Sequence, residues 1–91
     1  MEKLTRLLKE ARNLTEAEPR LLLRIIPQSD GVCISGYLAY NEREYLTIRE
    51  YMPAYKEALE RVREIQKQHN ISNSECVMFG SVFAGPLSAD N

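Results

Sequence analysis

Two cysteines, one histidine and a glycine-spaced turn are the residues whose types could do chemistry in this 91-residue chain. Cys33 or Cys76 could act as a nucleophile only beside a base, and His69 is the single imidazole able to serve. Neither cysteine has a second one at CxxC spacing, and one histidine without a thiol at ligand spacing makes no zinc site. His69 stands where a long charged helix should end, and a cation there interacts favourably with the negative end of the helix dipole. Gly80 and Gly85 have the two-glycine spacing of a phosphate loop. The Lys and Ser/Thr that should follow the second glycine are missing, so a strand end and turn is expected instead. Glu42 with Glu44, or Glu60 with Glu64, would need burial to raise a carboxyl into general-acid range, and both pairs lie in a charge-balanced, solvated segment. These residues imply no enzyme, no metal and no cofactor.

The aromatic residues are more suggestive. GYLAYNEREYLTIREYMPAY, residues 36 to 55, holds all five tyrosines, and the chain has no tryptophan. A core this small would have to absorb several phenols at once, each needing a hydrogen-bond partner, so some must reach the surface. Tyr and Met are enriched at protein interfaces, which makes Tyr37, Tyr40, Tyr45, Tyr51, Met52 and Tyr55 the candidate contact residues. The competing reading is a half-buried seam at the edge of a helix-on-sheet layer with its hydroxyls in water.

Length and charge narrow the classes. The chain builds one small domain, read as residues 1 to 85, followed by a tail at 86 to 91. A domain of this size is stabilised by roughly 5 to 9 kcal/mol, so pairing with a second copy would help it. Twelve basic and 13 acidic residues leave no basic stripe to follow a phosphate backbone or an anionic membrane. The N-terminal segment alternates charge and leucine without a continuous apolar run, which is neither a secretory signal nor a membrane span. An intracellular, cytoplasmic protein is expected, with Cys33 and Cys76 as buried thiols and the sequons at Asn13 and Asn70 unused.

The elements that must position these residues follow from periodicity. Leu4, Leu7, Leu8, Ala11 and Leu14 mark an amphipathic helix over about 2 to 13. Two apolar runs around Pro27 to Gly31 predict a β-hairpin with strands near 20 to 27 and 32 to 40, since Asp-Gly between such runs is a turn signal. A short helix at 16 to 26, opened by the capping box of Thr15 and Glu18, is the alternative for the first strand. A second helix covers 53 to 69. Residues 42 to 51 are either a kinked helix leading into it, with Asn41 or Thr47 as N-cap, or a third strand over 44 to 51. Glu57 with Arg61, Glu60 with Arg63 and Glu64 with Lys67 are spaced to pair along its wet side. Asn70 stops the helix, and residues from about 75 to 83 form a last strand, apolar on both faces as an interior strand would be.

The order α-β-β-α-β predicts an α+β two-layer sandwich, a small antiparallel sheet packed by one long helix. Double-stranded RNA binders share a helix, three strands and a helix, but Pro53-Ala54-Tyr55-Lys56-Glu57 lacks the basic residues such a domain needs there. The function expected is a non-enzymatic protein-interaction or inhibitor protein acting by surface occupation, as a homo-oligomer. The alternative is a binder of a small, nucleotide-like ligand, with tyrosines and the Ser81 region lining a pocket between subunits.

Overall fold

The structure, a computed structural model, describes residues 2–79 and 85–86. The chain folds as helix α1 (Glu2–Arg12), strands β1 (Leu21–Gln28), β2 (Gly31–Ala39) and β3 (Tyr45–Met52), helix α2 (Tyr55–His69), a short 3-10 turn (Asn73–Glu75), and strands β4 (Cys76–Phe79) and β5 (Gly85–Pro86). Among the described residues, one sheet holds the strands in the order β3-β2-β1-β4-β5. The α+β sandwich with α2 lying on the sheet is as expected. β1, β2 and β3 form antiparallel pairs, whereas β4 runs parallel to β1, so the sheet is mixed. The reason is topological. β3 already runs parallel to β1, and a helix that carries the chain back starts the next strand at the same end.

Strand alternation divides the core in two. Leu21 and Leu23 of β1, Ile34 and Leu38 of β2, and Cys76 and Met78 of β4 face α2, where Ala58, Val62 and Ile65 are buried against them. Leu22, Ala39 and Val77 point to the other side and meet Leu4, Leu8 and Ala11 of α1. The expected interior strand is therefore realised by β4, whose consecutive side chains serve both clusters. Residues 80 to 83 of that expectation, the Gly80–Gly85 turn and the tail beyond Pro86 lie outside the described residues.

The hairpin forms where Asp30-Gly31 requires it. Gly31 has φ +152°, and a Cβ there would lie 2.2 Å from the Met52 carbonyl oxygen. The short helix at 16 to 26 is not formed, because Leu21 to Leu23 are buried on alternate faces and only a strand can supply both. Nor is the kinked helix at 42 to 51. The Asn41 side chain does act as a cap, accepting from the Arg43 and Glu44 amides at 2.7 and 2.9 Å, but it closes the turn from β2 into β3. Pro53 then stays outside α2, which starts at Tyr55 behind Ala54 with no side-chain cap. The helix ends at Asn70 in the left-handed conformation (φ 55°), as expected.

Candidate functional site

The chemistry-bearing residues are kept apart by the fold. Cys33 and Ile34 alternate, so Cys33 lies on the α1 side of the sheet while Cys76 sits in the α2-side core. Both thiols are free and buried. Burial pushes the Cys76 thiol up to about 12, far from the thiolate form that a nucleophile needs. His69, in the last turn of α2, has its carbonyl engaged by the Arg20 guanidinium at 3.4 Å. Among the described residues no group of His, Cys, Asp and Glu could hold a metal ion. No helix among them is long and apolar enough to cross a membrane.

The six aromatic-segment candidates divide into three sets. Tyr37 of β2 and Tyr45 of β3 stand on neighbouring strands with ring centroids 5.3 Å apart at 85°, an edge-to-face pair half-buried beside α1. Met52 and Tyr55 are half-buried at the α2 side, and burial raises the Tyr55 phenol. Tyr40 and Tyr51 are 52% and 62% exposed. The rings thus divide between a half-buried seam and an exposed pair. Tyr51 and Tyr55 do not share a helix face, because β3 alternation sends Tyr45, Thr47, Arg49 and Tyr51 to one side and Leu46, Ile48, Glu50 and Met52 to the other.

The strand that carries three of these candidates is the edge of the sheet. Its register with β2 is unbroken from Val32–Met52 to Ala39–Tyr45, with no bulge. Just beyond it the Tyr40 amide donates to the Glu44 carbonyl at 2.8 Å, which identifies even-numbered residues as the hydrogen-bonded pairs of β2 and β3. The amides and carbonyls of Tyr45, Thr47, Arg49 and Tyr51 consequently point away from the sheet. Natural edges are blunted by charged side chains, especially Lys, or by Pro, bulges or shortness. The eight residues YLTIREYM have no Lys, Pro or bulge, and their two charged side chains, Arg49 and Glu50, are engaged by Tyr51 and Arg61. Leu46, 49% exposed, flanks this row on the α2 face, and Tyr51 flanks it on the α1 face.

Charged side chains brace the edge from within. Arg61 of α2 does not pair with Glu57 along its own helix; it forms two bonds to the Glu50 carboxylate, at 2.7 and 3.1 Å, and ties α2 to β3. On the α1 face the Arg49 guanidinium reaches the Tyr51 hydroxyl from Nε and Nη2, both at 3.3 Å, and holds that ring at the surface. Sequence patterning missed this site because an edge strand is defined by sheet order, which no local window carries.

A second feature lies on the α1 face of the sheet, past the first turn of that helix. A cavity of about 140 Å³ is lined there by Lys3, Arg24, Ser35, Tyr37, Thr47 and Phe79 among others, and among the described residues no carboxylate is in the lining. It combines two cations, three hydroxyls and two aromatic rings. Comparison of the chain with family models, with curated proteins and with solved structures finds no match.

Proposed function

We propose that this chain is a non-enzymatic interaction protein that works by occupying a partner's surface, with β3 as the contact element. The observation that supports the reading is the eight-residue edge without bulge or Pro, which offers outward amides and carbonyls between exposed Leu46 and Tyr51. Strand addition supplies affinity through the main chain, and flanking side chains supply selectivity. A protein that acts this way needs no catalytic constellation, in keeping with two buried thiols on opposite faces. An inhibitor, and a cytoplasmic setting, are consistent with the same reading.

The test is binding by a variant that blocks the edge alone. Thr47 has its amide on the outer side, so Thr47→Pro removes no bond within the sheet yet prevents a strand from docking. Pull-downs and light scattering should lose their complexes with Thr47→Pro and weaken with Tyr51→Ala. If every interaction survives both changes, β3 is not the contact element.

The cavity beside Arg24 favours a second reading, a small-ligand binder. Two cations with Tyr37 and Phe79 suit a small anion carrying a planar ring, a nucleotide-like molecule. Ser81, expected to line such a pocket, lies outside the described residues. A ligand present at 100 times its dissociation constant adds about 2.7 kcal/mol of stability. Thermal shift against a nucleotide panel should show that gain and lose it in Arg24→Ala; a flat panel removes this reading.

A further inference from the structure

We infer that the occupant of the β3 edge is the β3 strand of a second copy, paired antiparallel about a two-fold axis at Ile48. The inference rests on the reading of β3 as contact element and names its partner. Antiparallel pairing about a two-fold presents the same patch on both copies, so one self-complementary contact closes the dimer and uses both β3 edges. The axis must stand perpendicular to the sheet, so residues of equal parity face one another and the axis passes midway between one residue and its own copy.

Four residues could lie on that axis, and charge separates them. With Arg49 at the axis the two Arg49 side chains oppose each other, and with Glu50 there two carboxylates do. Like charges directly opposite are destabilising. With Thr47 at the axis, Glu44 meets Glu50 and only Tyr45 to Arg49 pair within the strand. With Ile48 at the axis, Tyr45 to Tyr51 pair throughout: Ile48 faces Ile48, Thr47 faces Arg49 and Leu46 faces Glu50. No like charges stand opposite. In this register alone Tyr51 also faces Tyr45, whose ring is already set edge-to-face on Tyr37. The exposed Tyr51 of one copy thereby extends the Tyr37–Tyr45 pair of the other into a row of three rings. The clustering of tyrosines in residues 36 to 55 acquires a purpose: two rings form the seat, and a third from the second copy fills it.

Light scattering of the full chain over a concentration series, with oxidative cross-linking of Thr47→Cys, Ile48→Cys, Arg49→Cys and Glu50→Cys, tests the register. Only a residue on the axis meets its own copy at disulfide distance, and Ile48 occupies a close, non-hydrogen-bonded pair. The native thiols are buried and do not interfere. The mass should double with concentration, Ile48→Cys should cross-link about tenfold faster than the other three, and Thr47→Pro should weaken dimerisation about tenfold or more. A monomer at every concentration overturns the inference, as does fastest cross-linking at any position other than 48. A monomer that binds another protein through an edge sensitive to Thr47→Pro overturns self-pairing and leaves the proposed function standing. A dimer indifferent to Thr47→Pro overturns self-pairing, and if every other interaction also survives that change the proposed function falls with it.

Discussion

At the scale of single residues, a few backbone contacts set what the chain tolerates. A Cβ on Gly36 would lie 1.9 Å from the Leu22 carbonyl oxygen and 2.9 Å from the Leu23 Cα, so β1 and β2 approach there as only glycine permits. Gly36→Ala should destabilise the domain by about 3 kcal/mol or more in urea unfolding, because backbone and not a side-chain tip would have to move. Glu75 illustrates a carboxylate used as structure. The Ser72 amide donates to it at 2.9 Å, and this bond, with a lesser contribution from the Arg20 charge, holds its carboxyl below the ordinary value of 4.5. A depressed folded pKa contributes stability that is complete above the unfolded value and is lost as pH falls through the folded one. Melting temperature should therefore drop on acidification below pH 4.5, and Glu75→Gln should show a smaller acid-induced drop. At this scale the sequence was informative about helix ends. Asn70 was legible as a stop because few residues other than Asn and Gly accept the left-handed conformation, whereas Asn41 misled, since the same capping side chain serves a hairpin turn as well as a helix start.

At the scale of elements, α1, α2 and β2 were legible because each has one period. Leu4, Leu8 and Ala11 repeat only at helical spacing, and the faces expected of β2, with Ile34 and Leu38 opposite Cys33 and Tyr37, are those observed. β3 was ambiguous because Tyr45, Ile48 and Met52 fit a helical step while Thr47, Ile48 and Tyr51 favour a strand; the competition was decided by pairing with β2, a non-local event. The ion pair between Arg61 and Glu50 was invisible for the same reason. It is half-buried and bidentate. A double-mutant cycle on Arg61→Ala and Glu50→Ala should return a coupling of about 0.5 to 1 kcal/mol, in the upper part of the range for solvent-accessible pairs. A coupling indistinguishable from zero would mean that α2 is held on β3 by Ile48, Met52 and their apolar neighbours alone.

At the scale of the whole molecule, one sheet covered on both faces leaves a long strand edge open at the side. α2 packs on one face, α1 packs on the other, and β3 remains as the long edge. The aromatic excess of residues 36 to 55 was legible from composition, but its division into a packed pair, Tyr37 with Tyr45, and exposed Tyr40 and Tyr51 needed the sheet order. The account predicts two classes of amide in β3. Those of Leu46, Ile48 and Glu50 bond to β2 in every copy, while those of Thr47, Arg49 and Tyr51 find partners only across the edge. Residue-resolved hydrogen exchange at low and high protein concentration reads them separately. Amides 47, 49 and 51 should slow toward the rates of their neighbours as concentration rises; if they exchange rapidly and equally at both concentrations, β3 does not pair with its own copy.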